Sequence, residues 1–175
     1  MYKFDDEVIK DSLMIIRDHC LDNNYKIAAA ESVTSGMIQL MLSCCENAGL
    51  FFSGGITAYS CKQKQKQLGI SEAVCSASNG VSSQIAESMA RQICRKYSCE
   101  LGLGITGFAT PIPEKGITEL FAYGSFCYNE QIIFTTKLTT NKATQLEVQR
   151  DFAFSLLQHC ADCLETGYKL KGVSS

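Results

Sequence analysis

The sequence predicts a single three-layer α/β/α domain built around a mixed sheet. Three observations carry this. Helical-period segments alternate with short apolar runs over residues 5–106, the pattern of βα units. Two β-branched and aromatic runs then flank Asn129-Glu130, a late hairpin. A length of 175 residues with 46% hydrophobic and 19% charged residues suits one globular domain over 1–175.

The elements follow in order. Residues 5–22 set Val8, Leu13, Ile16 and Cys20 at helical spacing behind an acidic start. Asn23-Asn24 ends that helix, and Tyr25–Ala30 is a short apolar run that suits a buried strand. The turn Glu31-Ser-Val-Thr-Ser-Gly36 hands over to a helix from Met37 to Cys45. Phe51–Tyr59 reads as a second strand, and Lys62–Gln67 as a short exposed helix. Ser82 is an N-cap for a helix whose apolar face is Ile85, Met89 and Ile93. Glu100–Thr106 is a strand of small residues, and Gly107–Gly116, which holds both prolines, is a loop. Leu120–Tyr128 and Gln131–Leu138 form the hairpin. A last helix starts at Asn141–Thr144 and runs to Leu164, with Val148, Phe152, Leu156 and Cys160 on one face. The tail 169–175 is expected to fray.

Composition excludes several classes. A net charge of −2 makes no electrostatic case for nucleic acid or an anionic membrane. No apolar run is long enough to span a bilayer, and the polar, acidic start is unlike a signal peptide, so a cytoplasmic protein is expected. Ten cysteines in 175 residues lie below the disulfide-scaffold range of roughly 8–10%. The one CxxC, Cys160-Ala-Asp-Cys163 after His159, lacks the second pair of a zinc ribbon. Reduced, metal-free cysteines and no cofactor are expected, with a metal or redox role for Cys160 and Cys163 the lesser alternative.

Four segments carry small polar residues at strand ends: Glu31–Gly36, Thr57–Lys64, Asn79–Ser82 and Thr106–Pro111. In such folds these ends meet at one edge, so one cleft is expected. Ser32 stands where a strand gives way to a helix, a place where first-turn N–H groups favour an anion or an oxyanion. A serine nucleophile needs a base. His19 and His159 lie within outer helices, which argues against a Ser-His-Asp triad. Lysine is the other base, once burial lowers its pKa. Spacing alone leaves Lys62, Lys64 and Lys66 readable as a solvated face.

Glu31-Ser-Val-Thr-Ser-Gly36, Ile56-Thr-Ala-Tyr-Ser60 with Lys64 and Leu68-Gly69, Gly80-Val-Ser82 with Met89-Ala90, and Thr106-Gly107 with Ala109 and Pro111 occur in this order. Together they closely resemble the C-terminal domain of the competence-damage-inducible (CinA) family over about residues 28–120. Its patterns run ESCTGG, TYSNxxK, GAVS with a downstream MA, and TGIAGP. Stand-alone members are nicotinamide mononucleotide deamidases, which release nicotinate mononucleotide and ammonia without a metal. The resemblance implies Ser32 as nucleophile with Tyr59 and Lys64 as helpers. It places Thr106, Gly107 and Ala109 at the substrate, and Glu31, Thr34, Ser35 and Gly36 beside it, with a small-molecule nucleotide as the partner. It also implies a homodimer.

The sequence departs from the family pattern at several points. Val33 replaces the cysteine after the serine, Ser35 a glycine, Cys61 the asparagine after Tyr-Ser, and Thr110 a glycine. The family's late arginine motif is not recognisable, leaving Lys142 and Arg150 as the nearest basic residues. Two readings therefore stand: an amidohydrolase acting on nicotinamide mononucleotide or a close relative, and a non-catalytic nucleotide-binding or regulatory module of the same fold.

Overall fold

A computed structural model describes residues 7–166. Five strands form one sheet: β1 (Ile27–Glu31), β2 (Phe52–Thr57), β3 (Leu101–Gly107), β4 (Phe121–Tyr128) and β5 (Gln131–Thr139), in the order β2-β1-β3-β4-β5. β1 pairs parallel with both β2 and β3, while β4 and β5 run antiparallel. Interior strand β1 is buried along its whole length, with Ala29 in the core on one face and Ala28 and Ala30 in the core on the other.

One face is covered by α1 (Glu7–Asn23), α2 (Met37–Ser43), α3 (Ala48–Phe51) and α7 (Gln145–Glu165). Their core joins Leu13, Ile16, Met41, Phe51, Phe152 and Leu156 to Ile27, Ala29 and Leu103 of the sheet. The other face carries α4 (Cys61–Leu68), α5 (Glu72–Ala77) and α6 (Ser83–Tyr97). There Leu68, Ile85, Met89 and Ile93 pack on Ala28 and Ala30. The architecture is thus α/β/α, as the alternation predicts. α6 lies directly on β3. A Cβ on Gly104 would stand 2.2 Å from the Ala86 carbonyl oxygen, and one on Gly102 2.4 Å from that of Ala90. The absence of side chains at these two positions sets the helix-to-sheet distance.

Local signals explain most boundaries. Ser82 Oγ accepts from the Ile85 amide at 3.2 Å, capping α6. Thr144 and Glu147 close a capping box at the start of α7. Asn129 and Glu130 both take positive φ, 45° and 64°, the two-residue turn that fits strand twist.

Some expectations need correction. On α1 the inward residue is Ile9, while Val8 is 55% exposed. α3 and α5, of 4 and 6 residues, are unexpected elements, too short to show a helical period. α4 is not simply exposed, since Lys64 and Leu68 are buried. The helix after Ser32 begins at Met37, as expected, and ends at Ser43 rather than Cys45. Residues 5 and 6 of the first expected helix and the tail 169–175 lie outside the described residues.

Candidate active site

Glu31, the last residue of β1, is fully buried. Its carboxylate accepts from the Thr34 hydroxyl, the amides of Gly36, Ile38 and Gln39, and the Gln39 side-chain amide. These donors satisfy a charge that would otherwise be costly to bury. They also consume the free N–H groups of the α2 N-terminus. Glu31, Thr34 and Gly36 are expected beside a ligand, but the structure uses them to lock the turn that presents Ser32. Ser35, at φ 52°, turns its hydroxyl to the Gln149 side chain at 3.4 Å. None of these four residues lines the cleft that holds Ser32. The physical reason is that an internal carboxylate already occupies the anion position of this helix.

Ser32 is 6% exposed and Lys64 2%. The Lys64 Nζ donates to Ser32 Oγ at 2.8 Å and to the Ala58 carbonyl at 3.0 Å. Ser60 caps α4 by accepting from the Gln63 amide at 3.2 Å, which sets Lys64 one turn into the helix and facing inward. Lys62 and Lys66, two positions to either side, are exposed. No carboxylate pairs with Lys64 among the described residues. Burial lowers its amine pKa, and the nearby Cys75 and Cys61 thiols oppose that shift only in part. An amine held in this way can take a proton from the serine it touches.

The cleft around this pair measures about 270 Å³. All four strand-end segments contribute, through Ser32, Tyr59, Gly80 and Thr106 among others. Gly107 and Ala109 line it as well. Tyr59 is 66% exposed, and its hydroxyl has no hydrogen-bond partner among the described residues. It therefore stands at the rim and does not touch the Ser32–Lys64 pair. Thr106 is fully buried, and its hydroxyl donates to the Gly80 carbonyl at 2.7 Å. That bond ties the 79–81 loop to β3. The Ser35 amide is used by the Ser32 carbonyl at 3.2 Å, which leaves the Val33 and Thr34 amides without acceptors among the described residues.

Phe108, within the expected Thr106–Pro111 segment, lines the cleft too, and so do Ile112, Lys115 and Gln145, which lie outside all four segments. Lys115 sits in a 3-10 turn, Pro113–Lys115, held by an Ile112–Ile117 bridge. It is the only cation besides Lys64 on the cleft wall, and no Asp or Glu lines it among the described residues. The paired prolines signal a loop there, but nothing in the pattern turns its far half, from Ile112 to Lys115, back toward Ser32. Of the basic residues named from sequence, Arg150 stacks on Phe154 at 4.8 Å, and neither it nor Lys142 lines the cleft. His19 and His159 lie on α1 and α7, as does Cys160 on α7, which is fully buried. No cluster of His, Cys, Asp or Glu suited to a metal occurs among the described residues.

Comparison with known proteins points one way. The competence-damage inducible protein of Limosilactobacillus reuteri is 36% identical over 97 residues, covering 55% of this chain and 23% of that protein. The CinA-like protein of Syntrophobacter fumaroxidans is 33% identical over the same length and covers the same shares. The chain thus spans about a quarter of the length of these curated relatives. Among solved structures, a CinA superfamily protein from Enterobacter cloacae superposes with a TM-score of 0.84 at 20% identity, covering 94% of this chain and 96% of that one. A competence/damage inducible protein from Agrobacterium tumefaciens gives 0.81 at 19% identity, covering 94% and 99%. The family model described as the CinA C-terminal domain matches residues 10–161, so this chain belongs to that family.

Proposed function

We propose that this chain hydrolyses the carboxamide of nicotinamide mononucleotide, or a close relative, to the carboxylate and ammonia. The single observation that carries the reading is the 2.8 Å contact between Ser32 Oγ and a buried lysine amine with no acid partner. Amide hydrolysis needs a nucleophile, a base that can return its proton to nitrogen, and donors for the oxyanion.

In this mechanism neutral Lys64 removes the Ser32 proton as Oγ attacks the carboxamide carbon. The Ala58 carbonyl keeps the amine aligned. The Val33 and Thr34 amides are the donors available to the oxyanion. Lys64 then passes the proton to the departing nitrogen, ammonia leaves, and water cleaves the acyl-serine by the reverse route. Tyr59 takes part from the rim of the cleft, within reach of a substrate bound there. Lys115, without a carboxylate on the cleft wall to oppose it, offers the charge an anionic substrate requires.

The regulatory-module reading draws on one observation: Tyr59 makes no bond to the reacting pair. An ammonia-release assay with nicotinamide mononucleotide separates the two. The hydrolase reading expects release that is lost in Ser32→Ala. The module reading expects nucleotide binding with no release.

A further inference from the structure

Two thiols meet the Lys64 amine behind Gly80. This glycine has φ +79°, and the position its Cβ would occupy lies 3.4 Å from Cys61 Sγ, 3.6 Å from Cys75 Sγ and 4.0 Å from Lys64 Nζ. Flanking that one point, the two sulfurs lie close enough for a modest shift of α4 against α5 to bring them together. Cys61 is half-buried and lines the cleft, while Cys75 is fully buried behind it. Cys61 opens α4 one turn before Lys64, and Cys75 belongs to α5.

We propose that Cys61 and Cys75 form a peroxide-responsive dithiol whose oxidation to a disulfide switches off the Ser32–Lys64 pair. The switching half of this rests on the hydrolase reading; the disulfide half does not. A peroxide enters by the cleft and meets Cys61 first. The Cys61 thiolate attacks one peroxide oxygen, an S–O bond forms, the O–O bond breaks, and the leaving hydroxide is protonated to water. Cys61 sulfur is oxidised and the peroxide reduced. Cys75 sulfur then attacks Cys61 sulfur, so an S–S bond forms and the S–O bond breaks, and the departing hydroxide takes the Cys75 proton as water. Burial pushes the Cys75 thiol up to about 12, which keeps it protonated and makes it the resolving partner. A disulfide draws the two sulfurs to about 2.05 Å. That pulls the first turn of α4 toward α5, and Lys64, one turn along the same helix, is drawn off Ser32. A dithiol reductant such as dithiothreitol reverses the change by exchange, becoming a cyclic disulfide itself.

The test treats the full chain with hydrogen peroxide and maps its peptides without reduction, in parallel with ammonia release. Wild type is expected to show Cys61 joined to Cys75 with the loss of two hydrogens. Activity should fall about 100-fold, the scale of a lost general base, and return with dithiothreitol. In Cys61→Ser the ratio of treated to untreated activity should stay near one. Cys75→Ser should leave a sulfenic acid at Cys61 that dimedone traps. Oxidation confined to Cys44, Cys45 or Cys163, the other half-buried thiols, overturns the proposal. So does a Cys61–Cys75 disulfide in a fully active chain. A chain that releases no ammonia refutes the hydrolase reading and removes the target of the switch, while the peptide map alone decides the disulfide.

Discussion

Replacing Glu31 with alanine tests whether this carboxylate serves the fold or the ligand. Five donors converge on it, and two of those bonds, from the Thr34 hydroxyl and the Ile38 amide, are buried. A buried donor left unpaired costs about 1–3 kcal/mol, so the two predict a loss of about 2–6 kcal/mol. The Gly36 and Gln39 groups are partly exposed, and water replaces much of what they lose. A destabilisation of about 4 kcal/mol is the expected value, within the 5–15 kcal/mol of a typical domain, so the variant still folds. Glu31→Gln keeps one acceptor oxygen but sets an NH₂ against donors, and about half that loss is expected. Urea unfolding followed by circular dichroism measures both, with the slope m unchanged if only stability moves. A Glu31→Ala loss below about 1 kcal/mol, with a raised KM for nicotinamide mononucleotide, refutes the reasoning and returns Glu31 to the ligand.

Burial lowers the Lys64 pKa below its ordinary 10.5, so the unfolded chain binds the extra proton between the two values. Stability should therefore rise with pH through that alkaline window, and a series of urea midpoints should show the rise in wild type but not in Lys64→Met. Activity should rise through the lowered pKa as the amine becomes neutral, which a pH–rate profile of kcat/KM checks. Gly104→Ala places a Cβ 2.2 Å from a backbone oxygen of α6, and a loss of about 1–3 kcal/mol from overpacking should appear as a lower Tm. β5 is an edge strand, and the expected homodimer would give it cover; light scattering should return twice the chain mass, and a monomer mass at high micromolar concentration rejects it.

The fold was legible where local chemistry and burial agree. Ser82 and Thr144 announce the starts of α6 and α7, and the Asn129-Glu130 turn sets the hairpin. The apolar runs at 25–30 and 100–106 mark the two strands at the heart of the sheet. What stayed hidden depends on long-range placement. Which of Lys62, Lys64 and Lys66 turns inward is settled by how α4 sits on the sheet, and spacing alone gives three equivalent lysines. Resemblance to the family singles out Lys64, and the structure buries that one. Glu31 looked like a ligand residue because its motif borders the serine, yet its donors come from the turn and helix that follow it. Lys115 from a 3-10 turn and Gln145 from the start of α7 reach the cleft from more than 80 residues beyond Ser32, and no local period records that.

The most direct test of the account compares ammonia release from nicotinamide mononucleotide by wild type, Ser32→Ala, Lys64→Ala, Lys62→Ala and Lys66→Ala. The account predicts that the Ser32 and Lys64 variants each lose about 100-fold or more, while the Lys62 and Lys66 variants stay within about twofold of wild type. Ser32→Ala keeping most of the activity, or three lysine variants with equal small effects, contradicts it.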